Sequence, residues 1–454
     1  YRRGLLWGIA LAVLGFGSLM TLVTAALPSI AADMNTTTTT AGWVLTGLML
    51  AMAVGTPAGG KLGDIYGHRN TFLIGLVGMT ATMFANYWVW NIGAFIAVRV
   101  LFGFSGALLM PSGMALLMDA FGAEERAKAV GWFQFAMTGA PTLGVVLGGP
   151  LLDLLGWRSI FVGFGLIGGL ATVLAFVVVK PIPKGPRVSI DWQGALLLAS
   201  ATLLLLLAIT RIPSVARSGA SFVTDVPTIA MVTTSMLLYF AFITWEKRVS
   251  SPLLDVRLFT KPTFALPLGS AACSQFAYMG AFVVIPGVLQ GPYGYSVGAA
   301  ALLMVPRPGV FALASPLGGS LVTKIGMRVP MIVGSTAMIG SMLAFAYGSG
   351  PVKFGLTFIM VGLVLSGVSA GIASPAYQTM VANSVEDSQL GIANGMNQTV
   401  MWMGMILGIQ SMLAFSGTEL TPTRLRATFL FAASVAAIGY LAPIFAIRPA
   451  KKDS

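Results

Sequence analysis

The sequence predicts an all-α integral membrane protein with about fourteen membrane-spanning helices. Three observations predict it. Of 454 residues, 56% are hydrophobic and only 9% are charged, where a soluble domain carries roughly 25% charged residues. Apolar runs of spanning length recur along the whole chain, leaving no stretch for a large soluble domain. The basic residues are scattered through short loops, a pattern that reads as membrane topology despite a net charge of +12 that would otherwise suggest nucleic acid.

The apolar runs place spans at 4–30, 42–59, 71–90, 92–118, 128–152, 159–179, 192–210, 225–245, 262–287, 297–319, 329–348, 354–378, 390–415 and 425–447. The first run is long enough to span, so no cleavable signal is expected. An even number puts both termini on one side. Eighteen of the 26 basic residues fall on the loops and ends of that side, which makes it cytoplasmic in an inner (plasma) membrane. A single cysteine, Cys273, excludes an intrachain disulfide and a cysteine-cluster metal site.

The chain contains an internal repeat. The loop after the second span reads Gly60-Lys-Leu-Gly-Asp64-Ile-Tyr-Gly67-His-Arg69, and the loop after the tenth reads Gly319-Ser-Leu-Val-Thr323-Lys-Ile-Gly326-Met-Arg328. Both fit G-x-L-x-x-x-x-G-x-R. Two such loops argue for two related six-helix bundles, and the excess length between them fits an inserted helix pair. The division is then 1–180 for the first bundle, 181–260 for the inserted pair with its linkers, and 261–454 for the second bundle. Glycines let helix ends approach, Asp64 can cap a helix or pair with a cation, and Arg69 and Arg328 can bond carbonyls or carboxylates. The loops so read are conformational latches; the plainer reading is a tight turn.

On these residues the chain resembles the major facilitator superfamily. Gly60, Asp64, Gly67 and Arg69 match its signature loop, and Arg99, Gly103 and Gly106 match its fourth-helix motif. Ala26-Leu-Pro-Ser-Ile30, Trp43, Trp157-Arg158 and Asp191-Trp192-Gln-Gly are similar to the fourteen-helix drug:proton antiporter family. The resemblance implies two six-helix bundles plus two extra helices. It also implies a secondary active transporter that exports hydrophobic or amphipathic small molecules by alternating access, as multidrug efflux proteins do. Two alternatives stand beside it. One is a carrier of lipid or lipid-linked substrates not coupled through the usual first-helix carboxylate. The other is a non-transporting membrane receptor or scaffold.

Departures from the pattern bear on coupling. Leu19 occupies the position where the family usually carries its first-helix acidic residue, and Val145 replaces the proline of the fifth-helix motif in Gly144-Val145-Val-Leu-Gly148-Gly149. Each of the 14 acidic residues lies in a loop or near a helix end, and none is at a mid-membrane position. Proton coupling usually needs a buried titratable group. Two cations instead lie inside apolar spans, and a buried cation is costly without partners. Arg99 reads either as substrate or proton-site electrostatics or as a group bonding carbonyls at a helix crossing. Arg307, between Pro306 and Pro308, marks a broken helix. A lining with cations and no anions disfavours dicationic substrates.

The family's geometry points to a central cavity with candidate lining residues Thr21, Thr24, Trp43, Thr46, Trp132, Phe135, Gln275, Tyr278, Phe282, Tyr377, Gln378, Asn394, Asn397, Gln398 and Trp402. Asn394, Asn397 and Gln398 share one helix face, toward either a cavity or another helix. Gly163-Phe-Gly165-Leu-Ile-Gly168 spells a dinucleotide fingerprint but sits in an apolar helix with no strand before it, so it reads as a packing face. No phosphate-binding loop and no nucleophile-and-base cluster is present, so neither direct ATP drive nor an enzyme is expected. No cofactor, metal or nucleic acid is expected. The expected partners are the small hydrophobic or amphipathic substrate, or a lipid, and the surrounding membrane lipids, with the chain a monomer.

Overall fold

The computed structural model describes residues 2–180, 191–217, 224–249, 252–350, 354–385, 390–417 and 420–446. Apart from one 3-10 turn, every regular element among them is an α-helix: α1 Arg2–Asp33, α2 Thr38–Ala41, α3 Trp43–Tyr66, α4 His68–Ala85, α5 Ile92–Leu155, α6 Ser159–Val178, α7 Trp192–Arg217, α8 Val226–Glu246, α9 Pro262–Gln290, α10 Val297–Leu303, α11 Pro306–Ile325, α12 Arg328–Gly348, α13 Gly355–Asn383, α14 Leu390–Ser416 and α15 Pro422–Ala446. Among the described residues, ten stretches are long and apolar enough to cross a membrane. In hydrocarbon the backbone must satisfy its own hydrogen bonds, and a helix does so within one segment.

Two spans expected at 92–118 and 128–152 are one continuous helical run, α5, of 64 residues. The stretch between them, 119–127, ends in the strong helix formers Ala123-Glu-Glu-Arg-Ala127, so charge alone does not break the helix. A straight helix of that length would extend about 96 Å at 1.5 Å per residue. Yet Phe95, near its start, stacks on Trp157, just past its end, with ring centroids 5.3 Å apart. The run therefore turns back on itself. Gly156 ends it in a left-handed conformation (φ 76°) that a side chain would strain. The span expected at 297–319 is also interrupted: α10 stops at Leu303 and α11 starts at Pro306. Pro306 and Pro308 lack the N–H groups that a continuous helix would use there.

The chain divides into two compact units. The first comprises Tyr1–Leu253, Phe282–Pro308 and Gly417–Leu420, and the second Leu254–Ala281, Gly309–Ser416 and Thr421–Ser454. In the first unit α5 packs on α1, α3 and α4, and α6 on α1 and α4. The crossing of α3 and α5 is glycine-lined. A Cβ on Gly59 would collide with the Ala107 carbonyl, and one on Gly103 with the Leu48 carbonyl. Small residues at such crossings let backbones meet, which is what drives helix association when lipid is as apolar as the side chains. In the G-x-G-x-x-G of α6 two glycines pack on side chains of α4, Gly165 under the Phe84 ring and Gly168 against Thr80 and Met83, while a Cβ at Gly163 would meet nothing within 4 Å.

The second unit repeats the device. Gly318 of α11 lies against the backbone of Gly371 and Ile372 in α13, while Gly404 and Gly408 of α14 meet the carbonyls of Ala272 and Phe276 in α9. Gly59 and Gly318 each precede the first glycine of a repeated loop, so the two halves use the same crossing at the same place.

Candidate functional site

Between α3 and α4 the first copy of the repeated loop turns on Gly67, whose φ of 97° belongs to a region that glycine alone enters without strain. Its counterpart Gly326, between α11 and α12, has φ 80°. The repeated glycine therefore meets the same backbone need in both copies. In the first copy Asp64 bonds His68 across one turn, 3.1 Å apart. Arg69 reaches to the end of α6, with Nε donating to the Val179 carbonyl at 2.7 Å and Nη2 to that of Phe176 at 3.4 Å. A cation on the last carbonyls of a helix complements its dipole. In the second copy Arg328 is exposed, and the backbone turn is what the two share. Gly60 and Gly319, the opening glycines of the two loops, are not close-approach positions. A Cβ would meet only Pro111 Cβ at 3.9 Å at Gly60, and nothing within 4 Å at Gly319.

Deep in the first unit, Arg99 of α5 is fully buried. Its Nε donates to the Val44 carbonyl of α3 at 3.2 Å, and Nη2 approaches Met20 Sδ of α1 at 3.9 Å. Nη1 is buried with no hydrogen-bond partner among the described residues. The guanidinium thus ties α5 to α3 through one carbonyl and keeps a donor in reserve at the junction of three helices. Gly103 and Gly106, on the same helix, are buried. Arg307 is fully buried at the start of α11, with its guanidinium 4.8 Å from the centre of the Phe282 ring.

Of the candidate cavity residues in the first unit, Thr21 and Thr24 turn their hydroxyls back to the Gly17 and Met20 carbonyls of their own helix, and Thr46 is fully buried. Trp43 is buried, and its indole Nε1 donates to Thr210 of α7 at 3.1 Å. In the second unit the Tyr377 hydroxyl bonds Ser335 of α12 at 2.9 Å, within an apolar cluster that includes Ala271, Met331, Ala373 and Met380. Asn397 is buried, and its carbonyl oxygen has no partner among the described residues. Gln398, one residue on, is exposed, as is Gln378, while Gln275, Tyr278 and Trp402 are half-buried. The side chains of Trp132, Phe135 and Asn394, and the surroundings of Gly144, Gly148 and Gly149, lie outside the described residues.

At the other end of α1, Asp33 pairs with Arg158, whose guanidinium lies 4.3 Å from the centre of the Trp157 ring. Asp153 accepts from Ser296 Oγ at 2.7 Å and from the Gly298 N–H at 2.8 Å, while Gln290 donates to the Ala25 carbonyl at 2.8 Å. These contacts draw α1 and the last turn of α5 onto the segment from α9 to α10.

One family profile covers this helical array, matching residues 8–408 and 267–454. The chain belongs to the Major Facilitator Superfamily. Relatives within the superfamily include the tetracenomycin C resistance and export protein of Streptomyces glaucescens, 27% identical over 89% of this chain and 75% of that protein. The drug efflux pump JefA of Mycobacterium tuberculosis is 29% identical over 87% of this chain and 76% of its own length. Among solved structures, the inward-open xylose transporter XylE of E. coli aligns with a TM-score of 0.67 at 14% identity, covering 100% of this chain and 98% of that one. A peptide transporter of the POT family aligns at 0.72 and 14%, covering 97% and 93%. At such identities the solved structures speak for the superfamily fold alone.

Sequence reasoning missed one group. Asp191, just before α7, and Glu246, at the end of α8, lie near helix ends as read, but both are buried, at 7% and 3% exposure. Their burial comes from the packing of α7, α8 and α3, which no hydropathy pattern encodes. The signal that was available is the Asp-Trp-x-Gly segment itself, a charge set directly against an apolar run.

Proposed function

We propose that the chain is a fourteen-helix efflux transporter of the superfamily, exporting hydrophobic or amphipathic small molecules by alternating access. The observation that carries it is the alignment of 85–89% of the chain with proteins named for drug export or multidrug resistance. The count of fourteen follows from reading α5 as two crossings and α10 with α11 as one, which leaves α1, α3, α4, α6 to α9 and α12 to α15 as one crossing each. The excess of basic residues on the latch side assigns that side, with both termini, to the cytoplasm. Buried Arg99 and Arg307 favour neutral, zwitterionic or anionic substrates over dications, because a second cation would raise the cost of an already buried charge. The relatives give no support to a lipid carrier or to a silent scaffold.

The test is accumulation of a neutral hydrophobic dye in an efflux-deficient bacterium. Cells expressing the chain should hold less dye than cells expressing Gly67→Val, in which the latch turn is strained. Equal accumulation in both, at matched expression, would defeat the reading.

A further inference from the structure

The first unit takes in a piece of the chain's second half, Phe282–Pro308, which carries the end of α9, all of α10 and the first residues of α11. Side chains clasp this piece to helices of the first half. Asp153, in the last turn of α5, accepts from the Ser296 hydroxyl at 2.7 Å and from the Gly298 N–H at 2.8 Å. Ser296 in turn caps α10, its oxygen accepting from the Ala299 N–H at 3.2 Å. One carboxylate thus grips the turn that starts α10. Gln290, at the end of α9, donates to the Ala25 carbonyl of α1 at 2.8 Å. α10 packs on α1 and α5, and the residues it buries are small: Gly298, Ala300 and Ala301.

This joint is built differently from the crossing of α3 and α5. There, buried Gly59 and Gly103 set backbone against backbone, and nothing can be exchanged for the contact. Here Asp153 and Ser296 are exposed, so water can replace each bond as it breaks. A face of glycine and alanine carries no long side chain to interlock with its neighbours. Such a joint closes under a few hydrogen bonds to a charged group and parts at low cost. It lies where α1 and α5 finish and α3 starts, whereas the repeated loop lies where α3 finishes.

We propose that Asp153 is the clasp of a gate: its two bonds hold α10 against α1 and α5, and their loss frees α10 and opens that end of the first unit. Asp153 is then a positioning residue, acting through Ser296 and Gly298. The gate's use in transport rests on the efflux reading above, but the clasp itself does not, and its test needs neither substrate nor gradient.

The experiment is the rate at which a water-soluble maleimide labels a single cysteine in the purified full chain in lipid nanodiscs. Cys273→Ala removes the native thiol, and Ala301→Cys puts the probe on the buried face of α10. Asp153→Ala should speed labelling about tenfold, the scale of a lost hydrogen bond to a charged group. Ser296→Ala, which removes one of the two donors, should speed it by less. A second probe, Ala171→Cys, is buried in α6. It should label as slowly in both variants as in the parent, which separates opening at α10 from general unfolding. An Ala301→Cys rate unmoved by Asp153→Ala would overturn the proposal, and so would an equal rise at Ala171→Cys. Failure of the dye test beside an intact labelling response would defeat the efflux reading and uphold the gate.

Discussion

Replacing Gly59 and Gly60 by alanine, one at a time, should move stability in opposite directions. In each case the helix gains about 0.8–1.0 kcal/mol of intrinsic propensity. At Gly60 the new methyl would meet only Pro111 Cβ, at 3.9 Å, an ordinary contact. That variant should be stabilised by roughly the propensity gain. At Gly59 the methyl would collide with the Ala107 carbonyl and come within 3.2 Å of Leu108 Cα. Both are backbone of a packed helix and cannot swing away. Overpacking of this kind costs about 1–3 kcal/mol, which exceeds the propensity gain, so the two variants should differ by about 2 kcal/mol. The second half offers an independent copy. At Gly318 a methyl would lie 2.7 Å from the Gly371 carbonyl oxygen and 2.8 Å from Ile372 Cα, while at Gly319 it would meet nothing within 4 Å. The assay is unfolding of the four variants in mixed micelles, followed by tryptophan fluorescence. Should Gly59→Ala match or exceed Gly60→Ala in stability, or the Gly318 and Gly319 pair reverse its order, the assignment of these crossings would be wrong.

Arg69→Gln should lose the helix-end contact with α6, about 0.3–1 kcal/mol, whereas Arg328→Gln, at an exposed position, should leave unfolding unchanged; comparing their midpoints checks the asymmetry of the two loops. Trp43→Phe and Thr210→Val, combined in a double-mutant cycle, should show a coupling of about 0.5–1.5 kcal/mol for the bond between α3 and α7, and additivity would mean that the bond is absent. Asp225 has its carboxyl held below the usual range by the Thr228 hydroxyl first, then by the Thr228 N–H and Arg211. A depressed folded value contributes stability above the unfolded value of about 3.9 that is lost as pH falls through the folded one. Wild type should therefore lose stability relative to Asp225→Asn only on the acid side of about pH 4, and parallel pH curves for the two would count against the capping contact.

Apolar run length made the helices legible in the sequence, because a bilayer sets how long a span must be. The doubled G-x-L-x-x-x-x-G-x-R located two equivalent turns, because a backbone with positive φ leaves glycine as the unstrained choice. What periodicity and composition cannot carry is which neighbour a side chain meets. Only the packing decided that Gly59 and Gly318, not Gly60 and Gly319, are the contact glycines. It also turned Trp43 to α7 and Tyr377 to Ser335, and folded the α5 run back on itself. Asp191 and Glu246 show the limit most plainly. Their places at helix ends were readable, but their burial exists only once α3, α7 and α8 close around them, because desolvation is a property of the assembled neighbours and not of the segment that carries the charge.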